Sequence, residues 1–494
     1  MFKTYLSLLL TLTLVASADE ALEQRLNNLE SLMAQFQQEL KAKDQTIKEL
    51  RKQVKGLDKT KSAKITTPSH NHNHAECNSL FGSWDKSRNP VGEKETNTSD
   101  VLAQNLGFDE INLGLTFNAA AGAGDLRDSE LEEFQGGGHS PQKRGVSLQE
   151  FSLSFEGTIE NAFDLSSSIA FTEDDTELEE AYITSNSLPY DLTLKLGYFF
   201  TDFGLHNRYH VHSWTFVDQP IINSRLFGGE GQRAPGVQLN WLSPLPWYSE
   251  FILAIQSSDN EYSPSFKGEA HSHGSEEEHE DEGFEEAVAG RPFAEDENSD
   301  KNFSYLLRWT NQFNINENLR AHIGASTLFG ENHTGGDTAI YGIDWVLEWE
   351  KEGYTRPFLT WQTELMKREY EADSFNFVDN DTPANSFSLD NEKVEDWGLY
   401  SQVTHNINNK WAVGFRYEYV SGSGDNFEGE EREGRDSSLD RADRQRFSPM
   451  VSYNPSPNSK ITLQYNHDQS DVDESSEGNM LWLGFQLKLG QHSH

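Results

Sequence analysis

The sequence contains little cysteine, little basic charge and no long apolar run. Cys77 is the one cysteine among 494 residues, which excludes an intramolecular disulfide. Apolar runs of about eighteen residues are absent from the sequence, so no transmembrane helix is expected. Lysine and arginine number 40 against 81 acidic residues, and the net charge of −41 argues against a nucleic-acid partner. Aromatic residues nevertheless make up 12%, more than a disordered chain carries, so the chain is expected to fold.

Catalytic motifs are also missing from the sequence. Neither a GxSxG elbow nor an HExxH pair occurs. Six histidines could each lie near a serine or an acid and are considered as catalytic residues. An isolated histidine in a barrel is usually an ordinary polar residue of the lumen or a loop, and we interpret all six in this way: His139, His206, His322, His333, His405 and His467. We therefore expect no enzymatic activity and no required cofactor.

The first 18 residues have the parts of a secretory signal peptide. Lys3 precedes an apolar run over 6–15, and the residues at 16–18, Ala-Ser-Ala, supply the small side chains of a cleavage site. We predict that 1–18 direct export of the chain. Cys77 lies far from this site, which argues against a lipoprotein anchor.

A heptad pattern follows over residues 19–60. Apolar residues recur at steps of four and three, with Lys43 at one core position: Leu22, Leu26, Leu29, Met33, Phe36, Leu40, Ile47, Leu50, Val54 and Leu57. This spacing predicts a coiled coil, and an oligomer, which we expect to be a homotrimer. The alternative is a single amphipathic helix lying on a barrel or a membrane.

Residues 61–106 lose this periodicity and are rich in Ser, Thr, Asn, Pro and charge. We predict a polar linker. It contains His70, His72 and His74 at alternate positions, which could hold a metal ion if the segment folded around one.

From 107 to 490 the apolar residues alternate with polar ones. In the segment 411–420, WAVGFRYEYV, one face holds Trp411, Phe415 and Tyr419 and the other holds Arg416 and Glu418. A soluble β-sandwich also alternates, but strands this long with aromatic residues at both ends are unusual in a sandwich. The pattern predicts an all-β transmembrane barrel of about 16 antiparallel strands, preceded by the coiled coil and followed by a tail at 491–494.

The predicted connections alternate between short turns and long segments. Long segments fall at 119–145, 201–234, 257–302, 368–395 and 422–445. Barrels of the bacterial outer membrane have short periplasmic turns and long external loops. The coiled coil would then lie in the periplasm, and the loop at 201–234 would be the third external loop, which folds into the pore in many porins.

This architecture resembles that of trimeric outer-membrane porins, particularly the phosphate-selective type and the coiled-coil-bearing dicarboxylate porins of Gram-negative bacteria. The segment 196–241, which opens with LGYFFTDFGLHNRYHVHSW, is similar to porin-like outer-membrane proteins associated with zinc regulation. The resemblance implies a trimeric channel in the outer membrane. The chain departs from the phosphate-selective pattern because its charge is strongly acidic.

Two histidine clusters are candidate metal ligands. His206, His210 and His212 lie in the 201–234 loop, and the segment 271–282, HSHGSEEEHEDE, carries three more among six carboxylates: His271, His273 and His279. Imidazole and carboxylate together suit zinc-type ions. The alternatives are histidines that hydrogen-bond within a packed loop, and a solvated charge run.

These observations predict a passive outer-membrane porin for small hydrophilic solutes. The acidic loops would favour cations, and zinc or another divalent metal would be a transported or loop-bound ion. Two alternatives stay open, which are a general or anion-type porin without a metal role and a non-conducting surface metal-binding or adhesive barrel. A ligand-gated receptor is disfavoured because 19–106 leave no room for a plug domain before the first strand.

Overall fold

A computed structural model describes residues 110–128, 131, 139–141, 143–173, 175–185, 188–267, 302–377, 387–423, 443–471 and 476–490. The predicted segments 1–18, 19–60, 61–106 and 491–494 lie outside these residues. The candidate ligands of the second cluster, His271, His273 and His279, also lie outside them.

Eighteen strands and one short α-helix form the described chain. The helix is α1 (Ile221–Phe227). The strands are β1 (Glu110–Gly124), β2 (Gly145–Ile159), β3 (Phe163–Phe171), β4 (Thr176–Ser185), β5 (Leu192–Phe200), β6 (Arg233–Leu242), β7 (Tyr248–Ser257), β8 (Phe303–Asn316), β9 (Leu319–Glu331), β10 (Asp337–Trp349), β11 (Leu359–Ala372), β12 (Phe375–Phe377), β13 (Phe387–Leu389), β14 (Glu392–Asn406), β15 (Trp411–Ser423), β16 (Arg444–Ser456), β17 (Ser459–Ser470) and β18 (Ser476–Gly490).

Sixteen of the strands close into one antiparallel barrel, which confirms the predicted fold class. Each barrel strand pairs with its neighbours in sequence, and β12 and β13 form a separate hairpin within the β11–β14 connection. The seam is made by β1 and β18, whose register runs from Gly114 opposite Gly490 to Gly124 opposite Met480. Closure leaves no unpaired strand edge in the barrel.

The two ends of the barrel differ in the length of their connections. At one end, tight turns join β8 to β9 and β16 to β17, at 317–318 and 457–458. At the other end, five connections are long, at 125–144, 201–232, 258–302, 373–391 and 424–443, and three are short, at 172–175, 332–336 and 471–475. The predicted alternation of short and long connections is therefore present, and we name the ends the short-turn end and the long-connection end.

The barrel has its apolar side chains outside and its polar side chains inside. On β18, Leu481 is 45% and Leu483 48% exposed, whereas Trp482 between them is buried. On β15, Arg416 and Glu418 are buried. A strand alternates its side chains between two faces, so the predicted apolar face is the outer one. This inversion is what a barrel in lipid requires.

Aromatic residues cluster on the outer face near both ends. Near the short-turn end, Trp241, Phe251 and Trp309 lie side by side on β6, β7 and β8, with ring centroids 5.8 Å apart in each pair. Near the long-connection end, Tyr305 stacks on Phe329 at 5.3 Å. These rings match the predicted aromatic girdles. In the part of the chain that the structure describes, no helix is long and apolar enough to cross a membrane.

Candidate functional site

The connection between β5 and β6, residues 201–232, folds into the barrel, as its strand order predicts. We call it the inward connection. Its backbone is bound by side chains from the far wall: Ser326 and Glu364 accept the N–H groups of Gly204 and Leu205 at 3.2 and 3.1 Å. On the other side, Gln149 donates to the carbonyl of Val217 at 2.9 Å. The connection therefore spans the lumen.

One half of the inward connection is held by apolar packing. Helix α1 and Phe203 are buried against inward side chains of the wall, in a cluster that contains Phe203, Ile221, Ile222, Leu226, Phe227, Ile252, Ala254, Phe266, Leu306, Leu328, Ile340, Met366, Tyr400 and Val420. Two glycines make room for it. A Cβ on Gly342 would lie 2.7 Å from the ring of Phe203, and one on Gly398 would lie 2.9 Å from Ile222. The wall is thus shaped to receive this segment.

The other half is held by Asp218, which is fully buried. Its carboxylate forms an ion pair with Arg416 and accepts Nη1 of Arg446 at 3.0 Å. Gln464 and Asn466 each donate to it at 2.7 Å. Burial opposes the charge, but the two guanidinium groups outweigh burial and lower the pKa of Asp218 to about 2. Asp218 is therefore ionised and fully partnered, and its oxygens are not available to the histidines.

Wall residues also recognise the backbone between these two anchors. Glu418 accepts the N–H of Ile221, the first residue of the helix, at 2.7 Å. Lys460 donates to the carbonyls of Trp214 and Thr215 at 2.8 and 2.9 Å. Charged side chains thus satisfy backbone groups of a buried segment that lacks regular structure over most of its length.

The three histidines predicted in the inward connection occupy different environments. His210 is buried, with Nδ1 3.0 Å from Glu179 and Nε2 2.9 Å from Glu180. His212 stacks on it, with ring centroids 5.5 Å apart. His206 lies against Trp214 instead, at 5.1 Å. The structure brings His210 and His212 together but gives His206 a different partner.

Their electrostatics differ in the same way. Burial would lower the pKa of His210, but the carboxylates of Glu179 and Glu180 outweigh it and raise the pKa well above its ordinary value. Burial and the charge of Arg416 lower the pKa of His206 to about 3. His210 is therefore a cation shared by two glutamates, while His206 is a neutral aromatic ring.

A group that the sequence did not suggest lies beside them. His139, Glu177 and Glu230 place one possible ligand atom each within 4.8 Å of one another. Sequence reasoning read His139 as an ordinary polar residue. Glu177 and Glu230 were not singled out. Spacing could not have found this group, because its members come from a connection, a strand and a loop that meet only in the folded barrel.

Comparison with known proteins gives a sequence relative and several structures of similar fold. A protein described as uncharacterized from Aquifex aeolicus (strain VF5) is 27% identical over 392 residues, covering 74% of this chain and 76% of that protein. Searched against protein-family models, the chain matches none.

Three solved structures illustrate the similarity in fold. The outer membrane channel DcaP of Acinetobacter baumannii is 10% identical with a TM-score of 0.47, covering 77% of this chain and 97% of that one. The anion-selective porin from Comamonas acidovorans is 8% identical with a TM-score of 0.44, over 77% and 99% of the two chains. The trimer form of OmpT, an outer membrane protein of Vibrio cholerae, is 9% identical with a TM-score of 0.44, over the same shares. At these identities and scores the likeness carries no argument.

Proposed function

We propose that this protein is a passive outer-membrane channel for small hydrophilic solutes, with the inward connection as its constriction. The observation that carries the proposal is the division of the barrel into an apolar outer face with two aromatic girdles and a polar inner face crossed by residues 201–232. The outer face fits a lipid bilayer, and the inner face offers water and ions a polar path. The short-turn end would face the periplasm. No catalytic step is part of the proposal.

The channel is proposed to favour cations. The connections of the long-connection end include the acidic segment 271–282, and the whole chain carries a net charge of −41. Charge of one sign at a pore mouth concentrates counter-ions, and salt weakens the effect because the screening length is about 10 Å at 0.1 M. Zinc-type ions are proposed as one cargo, on the strength of three imidazoles in the inward connection, His206, His210 and His212, of which His210 would have to release its proton to bind one.

Planar-bilayer recording tests the channel and its selectivity. The reversal potential across a salt gradient should indicate cation preference, strongest at low ionic strength. Micromolar zinc should reduce the current in the wild-type protein and not in the His206→Ala, His210→Ala, His212→Ala triple variant. Anion preference at low salt would contradict the proposed selectivity, and an equal zinc effect in both proteins would contradict the zinc part.

A shortened variant tests the constriction. Replacing residues 203–230 with a short Gly/Ser linker should raise the single-channel conductance several-fold. As a matched control, shortening the β15–β16 connection at 424–442, which also lies at the long-connection end, should leave conductance nearly unchanged. Equal conductance in the wild type and the 203–230 variant would mean that the narrowest point lies elsewhere.

A non-conducting barrel is a second candidate, favoured by one observation. The inward connection contacts both sides of the lumen and buries an apolar cluster inside it, as a plug would. The same recordings separate the two functions. If the barrel is plugged, the wild-type protein carries no current, and only the variant with residues 203–230 replaced conducts.

The protein is also proposed to be a homotrimer through the heptads of residues 19–60. Deleting 19–60 should leave barrels that insert into lipid but dissociate at a lower temperature in detergent. An unchanged oligomer would assign assembly to the barrel walls alone.

A further inference from the structure

Three segments of the chain meet where the inward connection returns to the wall. His139 comes from the β1–β2 connection, Glu177 from the start of β4, and Glu230 from the residues just before β6. One ligand atom from each lies within 4.8 Å of the others, and His139 is only 3% exposed. The cluster therefore lies at a junction where three segments distant in sequence come together through side-chain contacts.

The two closest ligand atoms form an ion pair. Nε2 of His139 lies 2.6 Å from Oε2 of Glu230, and both atoms are buried. Their alignment falls outside hydrogen-bond geometry with any group in the described part of the chain. His139 carries the positive charge of this pair only while it is protonated, and once it releases the proton both atoms offer lone pairs to a metal ion in its place.

The other side of the His139 ring is held as in known metal sites. Nδ1 faces the carbonyl oxygen of Gln149 at 3.5 Å, and the amide of Gln149 returns a bond to the carbonyl of His139 at 2.8 Å. Metal-binding histidines commonly direct their second nitrogen to a backbone carbonyl, which fixes the ring orientation and leaves the first nitrogen for the ion. Gln149 provides this support here.

Charge is concentrated around the junction. Five glutamates lie in or beside the cluster: Glu150, Glu177, Glu179, Glu180 and Glu230. The bases that face them are Arg233 on Glu177, His139 on Glu230, His210 between Glu179 and Glu180, Lys195 near Glu180 and Lys488 near Glu150. If His139 gives up its proton, the cluster holds an excess of negative charge in a buried region, which a divalent ion would offset.

Space for a small ligand adjoins the cluster. A cavity of about 20 Å³ is lined by His139, Glu179, Glu230, His206 and His210, among others. A cavity needs roughly 10–15 Å³ to hold one water molecule. It can therefore supply a water as the remaining ligand of an ion held by three protein groups.

We propose that His139, Glu177 and Glu230 form a binding site for one divalent ion of the zinc type, which clamps the inward connection to the barrel wall. Zinc accepts imidazole nitrogen and carboxylate oxygen as ligands, and its open sites combine three protein ligands with a water; the imidazole disfavours magnesium and calcium, which prefer oxygen ligands. Binding requires Glu177 to exchange part of its contact with Arg233 for the ion. This inference goes beyond the proposed function and does not depend on conductance.

The test measures metal binding and barrel stability on the full-length protein in detergent. Co²⁺ replaces zinc and reports tetrahedral binding by its visible absorption, and circular dichroism gives the melting temperature with and without Zn²⁺. An ion that joins three segments of the folded barrel should raise the melting temperature, because it binds the folded state alone. The variants Glu230→Gln and His139→Gln should weaken Co²⁺ binding about tenfold or more and abolish the zinc-dependent rise.

Two control variants separate this site from the other histidines. His206→Ala with His212→Ala should keep the Co²⁺ spectrum and the zinc-dependent rise. The triple variant His271→Ala, His273→Ala, His279→Ala should lower the total metal bound but keep the rise in melting temperature. The proposal fails if Glu230→Gln and His139→Gln retain both the spectrum and the rise, or if wild-type barrel shows neither.

Discussion

The two anchors of the inward connection rest on different physics. Around α1, the contacts are apolar and non-directional, so their strength follows the buried area and is independent of pH. Around Asp218, the contacts are directional, with four side chains converging on one carboxylate. The apolar anchor can tolerate small shifts of the helix. The charged anchor fixes one position and depends on one group, because loss of the Asp218 carboxylate deprives four buried side chains of a partner at once.

The largest expected effect comes from breaking the charged anchor. Asp218→Ala removes the carboxylate that Arg416 and Arg446 share, so each guanidinium group keeps one counter-charge, Glu418 or Asp468, and loses one buried ion pair; this should lower the free energy of unfolding by about 3–5 kcal/mol. Urea unfolding monitored by tryptophan fluorescence measures it. Asp337→Ala, at an exposed aspartate, is the control and should change little. A loss below about 1 kcal/mol for Asp218→Ala would show that the anchor contributes little.

The apolar anchor should yield a comparable but more variable loss. Leu226→Ala removes a fully buried side chain from the cluster beneath α1 and should cost about 2–5 kcal/mol, depending on how far the helix settles into the space. Leu463→Ala, on the exposed outer face, is a same-size control in detergent. Conductance should rise in Leu226→Ala only if the helix moves. A free energy of unfolding for Leu226→Ala equal to that of the wild type would show that the apolar anchor contributes little to stability.

Raising the pH should weaken the junction beside Glu230 while leaving the apolar anchor intact. Burial lowers the pKa of His139, but the Glu230 carboxylate outweighs it and raises the pKa from 6.5 to about 10. A raised pKa means that the folded state binds the proton more tightly, so this stabilisation is full below about pH 6.5, declines above it and is lost above about pH 10. The melting temperature in the presence of a chelator should fall over that range. His139→Gln should flatten the profile, and an unchanged slope in this variant would assign the effect to other groups.

The smallest effects distinguish two neighbouring histidines. His206→Phe keeps the ring against Trp214 and replaces a neutral group, so the unfolding free energy should change by less than about 1.5 kcal/mol. His210→Phe also keeps a ring but leaves Glu179 and Glu180 without their shared partner, and should destabilise the barrel more. Thermal melting of the two variants measures the difference. Equal melting temperatures would mean that the charge of His210 is not needed.

The barrel could be predicted from sequence because each of its requirements is local. Alternation along 411–420 predicts a strand with two unlike faces, and the alternating connection lengths predict an antiparallel meander with two unlike ends. The inward position of 201–232 was also predictable, since strand order makes it the third connection at the long-connection end and the resemblance to porins implies that this connection folds inward. Local patterns do not tell which face of a strand is buried until the surroundings are known.

The contacts inside the lumen could not be predicted in the same way. His210 meets Glu179 and Glu180 because the inward connection folds back onto β4, about 30 residues earlier. His139 meets Glu230 across a still longer separation in sequence. The spacing of residues along the chain does not predict such contacts, because they depend on how an irregular segment packs inside the barrel. The alternate histidines His210 and His212 therefore indicated that the inward connection was of interest, but not which side chains contact them.

The β1–β18 seam has a consequence for the order in which the protein can be assembled. The inward connection is complete once residue 232 has been made, but several of its partners, including Arg416, Arg446 and Gln464, lie on strands that come much later in the chain. The seam itself joins residues near 114 to residues near 490, the longest closure in the barrel. Contacts so distant in sequence form late because of the entropy needed to bring them together. During biogenesis, then, residues 201–232 must wait beside an incomplete sheet, and a partner that closes the last strands would also complete the contacts of the inward connection.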